Sequence, residues 1–218
     1  MLALIPLRGG SKGIPGKNIK LIAGKPLCQW SIDAAIESGV FDRIIVSTDS
    51  EEIADVVRDV EVMMRPPELA LDDTPTEAVM KHVAETVDFK EMCLIQATSP
   101  LTEAYDLRAA RAKFYSWGAD SMLTVTRLNK FVWKPTENDF LVEPVNYEPC
   151  NRPMRQGISH LFVETGNFYI TRKWVLEKLN SRLGGYICRY IIDKDRAVDI
   201  DDLSDFAKAE FYLKERVK

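Results

Sequence analysis

Four glycines, Gly9, Gly10, Gly13 and Gly16, fall within the run Leu7–Asn18 (LRGGSKGIPGKN), interleaved with Arg8, Lys12 and Lys17. Glycine admits positive φ and lets backbone N–H groups approach an anion closely, and the basic side chains add charge. Directly after a short apolar segment, this combination predicts a cradle for a polyphosphate. A flexible strand-to-helix connector with solvated basic residues is the plainer reading. The loop is not GxGxxG, and a GxxxxGK[ST] motif ending at Lys17 would need glycine at Ser11 and Ser or Thr at Asn18. A second cluster, Asp199, Asp201 and Asp202, lies in AVDIDDLSD. In an extended segment residues i and i+2 point the same way, so Asp199 and Asp201 would present two carboxylates side by side. That arrangement suits a magnesium ion, which takes oxygen ligands and keeps waters and substrate phosphates. It also leaves Val198 and Ile200 for the core. Helix capping by Asp201 or Asp202 explains the spacing equally well. Asp49, at the end of a strand-like run, reads as structural.

These groups need a scaffold, and the alternation of segments supplies one. Leu2–Pro6, Arg43–Thr48, Met92–Ala97, Ala119–Thr126, His160–Thr171 and Tyr186–Ile192 read as strands. Pro26–Ser38, Ser50–Asp59, Thr76–Asp88, Glu103–Trp117, Trp174–Leu179 and Leu203–Val217 read as helices, with Ser50 as a cap. The β-α-β-α rhythm predicts an α/β fold with a mostly parallel, covered sheet. Ligands bind at the C-terminal ends of such strands, where the glycine loop lies. Gln96, at the end of an apolar strand and followed by Thr98 and Ser99, is well placed for the same reason. Ser99 and Thr102 suit a cap for the next helix. The rhythm breaks near Asn129, and residues 135–153 hold four of the eleven prolines. The chain therefore reads as one domain, 1–218, with an arm inserted at about residues 129–160. Such an excursion has to bury Phe131, Trp133 and Phe140 somewhere.

Composition excludes several classes. The 218 residues carry 46% hydrophobic and 28% charged side chains and a net charge of −4. This is ordinary globular composition, with no global pull toward nucleic acid. No apolar run approaches the roughly 18 residues of a membrane span. The N-terminal apolar stretch is too short for a signal peptide. The four cysteines are scattered, without zinc or disulfide spacing, and read as buried free thiols of a reducing cytoplasm. With only His82 and His160 present, a mechanism needing several histidines is not expected.

Five further segments, in order, sharpen the reading. With the loop RGGSKGIPGKN, they are FDRIIVSTDSEEIA (Phe41–Ala54), RPPELALDDTPT (Arg65–Thr76), LIQATSPL (Leu94–Leu101), RPMRQ (Arg152–Gln156) and VDIDD (Val198–Asp202). Together they resemble the acylneuraminate cytidylyltransferases, the CMP-sialic acid synthetases and their nonulosonate relatives, over nearly the whole chain. The resemblance implies a Rossmann-like nucleotide-diphospho-sugar transferase fold, with a small protruding dimerisation arm and a homodimer. It implies a magnesium-dependent transfer of a cytidylyl group from CTP to a sialic-acid-like sugar acid, giving a CMP-sugar and pyrophosphate. Asp199 and Asp201 would hold Mg2+, with Asp202 left as the helix cap. Arg8, Lys12 and Lys17 would neutralise charge on the phosphates. Leu7, Gly9, Gly10, Ser11, Asn18, Arg65 and Thr76 would line the nucleotide site. Gln96, Thr98, Ser99, Lys134, Arg155, Gln156, Glu164 and Thr165 would meet the sugar. The sequence departs from the family pattern at Ala97, at Thr102 (an arginine in TSPLR) and at Thr165 (an asparagine in ENG), all near the expected sugar site. Kdo as acceptor, GTP as donor with a legionaminate-type sugar, and a nucleotide-binding regulator without catalysis are the alternatives.

Overall fold

The computed structural model describes residues 1–138, 140–157 and 161–217. Strands β1 (Leu2–Leu7), β4 (Arg43–Thr48), β5 (Glu61–Met64), β6 (Glu91–Ile95), β7 (Ser121–Leu128), β10 (Leu161–Arg172) and β11 (Ile187–Ile191) form one sheet. Its order is β11-β7-β10-β6-β1-β4-β5. Only β10 runs antiparallel to its neighbours within this sheet, so the expected mostly parallel α/β architecture is present. His160, the expected start of β10, lies outside the described residues. Two short pairs stand apart: β2 (Leu21–Ile22) with β3 (Lys25–Pro26), and β8 (Trp133–Pro135) with β9 (Val142–Pro144).

The helices are α1 (Leu27–Ser38), α2 (Glu51–Val56), α3 (Thr76–Thr86), α4 (Ala104–Ser116), α5 (Lys173–Leu179) and α6 (Leu203–Val217). Successive residues of β1 serve opposite faces, which is why the strand is apolar throughout. Ala3, Ile5 and Leu7 pack in one cluster with Ile32 of α1 and Leu107, Ala110 and Phe114 of α4. Leu2 and Leu4 pack in another with Met80 and Val83 of α3 and Leu176 of α5. A third cluster joins Ile14 of the glycine loop to Val198, Ile200 and the α6 residues Phe206, Ala209 and Leu213. This last cluster fixes the aspartate segment against the loop.

Capping follows the sequence in two places and departs from it in one. Ser50 Oγ accepts from the Ile53 N–H at 3.4 Å. Asp202 Oδ1 accepts from the N–H groups of Ser204 (2.7 Å) and Asp205 (3.0 Å), so it caps α6. Helix α4 is capped by Glu103 in a reciprocal box with Asp106, not by Ser99 or Thr102. The Thr102 hydroxyl is buried instead, donating to the Ser99 carbonyl at 3.0 Å and accepting from Asn167 Nδ2 at 3.0 Å.

Asp106 is fully buried and receives both guanidinium nitrogens of Arg196. Tyr190 Oη donates to the same carboxylate at 3.2 Å. The ion pair ties the loop before Asp199 to α4. Removing one partner of a buried pair leaves the other charge uncompensated. Arg196→Leu is therefore expected to lower stability by about 3 kcal/mol, read as a fall in the urea midpoint at unchanged m-value.

In the segment after β7, Phe131, Trp133 and Tyr147 form a small aromatic cluster, and the Arg152 guanidinium sits 4.1 Å from the Phe131 ring centroid. Phe140 at the hairpin tip is 95% exposed, and Leu141, Val142 and Met154 are exposed with it. Cys28, Cys93 and Cys188 are buried thiols as read from the sequence, whereas Cys150 is exposed. Burial pushes the Cys28 thiol up to about 11. No described helix is long and apolar enough to cross a membrane.

Candidate active site

A cleft of about 340 Å³ opens at the C-terminal ends of β1 and β6. The glycine loop forms one wall through Arg8, Ser11, Lys12, Gly13, Lys17 and Asn18. Residues 65–76 form the opposite wall, and Gln96, Thr98 and Asp201 close the end. Residues from four of the segments singled out in the sequence thus meet around one cavity.

Two contacts join the loop to the aspartate segment. Lys17 Nζ donates to the Ile200 carbonyl at 2.5 Å. Gly13 lies so close to the Asp201 carbonyl that an added Cβ would overlap its oxygen. A third bond, from the Ile200 N–H to the Thr98 carbonyl at 2.9 Å, fastens the same segment to the end of β6. Asp199 and Asp201 flank this anchored residue. Desolvation by the surrounding protein, together with the Asp201 carboxylate, pushes the Asp199 carboxyl above its ordinary value, although Thr98 and Lys17 pull against the shift. A carboxylate whose charge is raised in energy by burial and by a neighbouring carboxylate is a fitting ligand for a cation. No cluster of three or more His, Cys, Asp or Glu side chains suited to a metal occurs among the described residues. Two protein carboxylates with waters and substrate phosphates are the usual complement for magnesium, and this donor set fits it.

The loop's basic groups face Asp72, which the sequence reading passed over. Arg8 Nη1 lies 2.8 Å from Asp72 Oδ1, and Lys12 Nζ meets Oδ2. Lys12 and Arg8 hold the Asp72 carboxyl below its usual range. Its place in the RPPELALDDTPT segment is the signal the sequence carries, and the pairing itself arises only in the fold. Asp72 thus engages both cations. Asp72→Asn is expected to tighten triphosphate binding roughly two- to five-fold at low salt, by calorimetric titration, with the gain fading as salt rises.

Several expected contacts are built differently. Leu7 is a core side chain, wholly buried. Gly9 gives its N–H to Asp49 Oδ1 at 3.2 Å, and Gly9 and Gly10 line a separate hollow beside Ser50. Asn18 is buried, and its Nδ2 donates to the Arg8 carbonyl at 2.9 Å, closing the loop on itself. Arg65 is buried, donating to the Ser47 carbonyl at 2.8 Å and lying 3.4 Å from Asp49. Asp49 is thus a strut joining the loop to Arg65. Thr76 lines the cleft at the start of α3.

On the expected sugar side, Glu164 accepts from Tyr169 Oη. Thr165 is buried, and its Oγ1, like Ser99 Oγ and Asn167 Oδ1, has no hydrogen-bond partner among the described residues. Gly166 brings this turn to Asp199, whose Oδ2 lies 3.7 Å from where a Cβ would stand. Ser99 is fully buried behind the cleft rather than on its wall. Lys134 lies in the hairpin, opposite Glu143 in register, and pairs with it at 2.8 Å, away from the cleft lining. Gln156 is exposed on a short 3-10 turn and does not line the cleft. The Arg155 side chain lies outside the described residues.

Residues 2–148 match the model of a family described as cytidylyltransferase. The chain belongs to the cytidylyltransferase family. It is 39% identical over 213 residues to N-acylneuraminate cytidylyltransferase A of Danio rerio, covering 95% of this chain and 49% of that protein. It is 27% identical to the pseudaminic acid cytidylyltransferase of Campylobacter jejuni, covering 98% of this chain and 96% of that protein. The chain thus spans about half the length of the N-acylneuraminate cytidylyltransferases it matches, and nearly all of the pseudaminic acid enzyme. A solved CMP-2-keto-3-deoxy-manno-octonic acid synthetase complexed with CTP has the same fold, with a TM-score of 0.75 at 15% identity over 99% of this chain and 98% of that one. A 4-diphosphocytidyl-2C-methyl-D-erythritol synthase from Anaerococcus prevotii follows at 0.69 and 14%, with 98% of each chain covered. These likenesses show that the cytidylyltransferase chain shares the fold of both solved structures.

Proposed function

We propose that the chain transfers the cytidylyl group of CTP to the anomeric hydroxyl of a nonulosonic, sialic-acid-like sugar acid, releasing pyrophosphate. The observation that carries this reading is the junction of the glycine loop with the Asp199–Asp201 segment through Lys17 and Gly13. This junction supports the reading because Lys17 and Asp201 both line the cleft and Asp199 lies immediately before the anchored Ile200. The family and the named relatives support the choice of CTP and of an acidic nine-carbon sugar.

In the proposed reaction the sugar hydroxyl oxygen bonds to the α-phosphorus, its proton passes to solvent water, and the bond from the α-phosphorus to the α–β bridging oxygen breaks, its electron pair leaving with pyrophosphate. The work is mainly positioning and charge neutralisation. Arg8 and Lys12 exchange Asp72 for the phosphates and stabilise the departing pyrophosphate. Lys17, anchored on Ile200, keeps its charge near the phosphates and the aspartates together. Arg65 and Thr76 face the base from the opposite wall. Asp199 and Asp201 would hold Mg2+. When bound, that ion supplies neutralisation of phosphate charge and a lowered pKa for a coordinated hydroxyl. Gln96 and Thr98 orient the acceptor from the end of β6, with the 164–166 turn beside them. We place the protein in the cytoplasm as a homodimer, in which the exposed apolar side chains of the hairpin, Phe140 foremost, pack on a second copy.

The test is pyrophosphate release with CTP and magnesium across N-acetylneuraminate, Kdn, legionaminate, pseudaminate and Kdo, with GTP in parallel. One strong acceptor with CTP is the expected result. Pyrophosphate release with GTP alone would overturn the choice of base. Bound CTP without release for any acceptor would overturn the catalytic reading.

A further inference from the structure

Beyond the aspartate segment, on the β7–β10–β11 half of the same sheet end, lies a second hollow of about 590 Å³. Arg127 at the end of β7, Lys130 just after it, Lys194 in the loop after β11 and Lys208 on α6 converge on it. No acidic side chain lines it among the described residues. None of the four cations has an ion pair or hydrogen bond among the described residues. By contrast, Arg8, Lys25, Arg43, Arg172, Arg182 and Arg196 each face a carboxylate. The acids beside Lys194 are turned away, Asp193 toward Arg196 and Asp195 toward Tyr212. Leu128, Phe131, Val163 and Ala197 give the hollow an apolar wall.

Two of its lining residues lead straight into the proposed site. Ala197 stands two residues before Asp199, and Val163 immediately precedes Glu164. The hollow is therefore continuous along the chain with the aspartate segment and with the 164–166 turn. A chain of net charge −4, carrying a triphosphate in its cleft, repels a second anion. Uncompensated cations in a concave, partly apolar surface reverse that potential locally and concentrate an anionic ligand there. Four unpaired cations from separate segments are a costly arrangement in the free protein unless an anion relieves their mutual repulsion.

We infer that this basin is a docking site for the carboxylate-bearing sugar acid, occupied before the sugar reaches the α-phosphate. The carboxylate meets Arg127, Lys130, Lys194 and Lys208, and the sugar body lies on the apolar wall. This inference rests on the reading of the chain as acting on an acidic sugar.

The test is equilibrium binding without nucleotide or metal, so that it does not depend on turnover. Wild type and the Lys194→Glu/Lys208→Glu variant are titrated calorimetrically with N-acetylneuraminate and with Kdo, and each with CTP in a separate experiment. Wild type is expected to bind at least one sugar acid, and the double variant to bind it at least about five-fold more weakly. CTP affinity should hold in both, which also reports an intact fold. Lys194→Arg/Lys208→Arg should bind as wild type does. Equal sugar affinity in the charge-reversed variant overturns the proposal, as does no binding of either sugar acid to wild type. Polyglutamate binding in place of the sugars would assign the basin to an acidic peptide instead. Loss of CMP transfer with sugar binding intact would overturn the catalytic reading and leave the basin standing.

Discussion

Replacing Asp199 by asparagine is expected to lower the turnover of CTP and acceptor by about 10³-fold without unfolding the protein. Asp199 and Asp201 flank Ile200, which is held by Lys17 and Thr98. The variant keeps that backbone and the shape of the side chain while removing one of the two charges. Stability should hold or rise, and the sign can be worked out. Desolvation and Asp201 raise the Asp199 carboxyl above its ordinary value in the folded state. The folded state therefore binds the proton more readily than the unfolded chain does. Ionisation then costs stability as pH rises through the folded value, and the cost is fully present above it. Asparagine removes that cost at neutral pH. The gain should vanish as pH falls below the unfolded carboxylate range. Melting curves from pH 4 to 8, beside steady-state turnover at neutral pH, check both halves. A variant that keeps wild-type turnover would remove the carboxylate from the chemistry.

Gly13→Ala is expected to lower kcat by about 10²-fold, with CTP binding weakened less. A methyl group at residue 13 would overlap the Asp201 carbonyl oxygen, and that atom is backbone, which cannot swing aside. Either the loop or the aspartate segment must move. Misplacement of about 1 Å between reacting groups costs on this scale. Gly10 is the internal control, because a Cβ there meets nothing within 4 Å. Gly10→Ala should stay within about three-fold of wild type. Parallel kinetics of the two variants separate close approach from a general need for flexible glycines. Equal losses would favour the latter.

The contrast between those glycines shows what sequence could and could not reveal. Clustered glycines after an apolar strand identified the loop, and its place at the end of β1 followed from the alternation of elements. Which glycine matters was illegible, because it depends on a carbonyl nearly 190 residues away. The same holds for Asp72. Its carboxylate acquires meaning only when the fold sets it opposite Arg8 and Lys12. Capping was readable at Ser50 and Asp202, where the partners are three residues on or nearer. It failed at Thr102, because burial beside Asn167 drew the hydroxyl away from α4. The partner of Lys134 was illegible for a related reason. Its opposite charge, Glu143, is supplied by hairpin register, which spacing along the chain does not show. The antiparallel β10 could not be inferred, since apolar periodicity carries no direction.

The most direct measurement follows the label from [α-32P]CTP in a single turnover with magnesium and the preferred acceptor of the panel, comparing wild type with Asp199→Asn. The account predicts that label leaves CTP and appears in a CMP-sugar that migrates apart from CMP. It predicts that pyrophosphate forms in equal amount and that the variant yields neither. Label recovered as free CMP, or retained in CTP while the acceptor is bound, would contradict it.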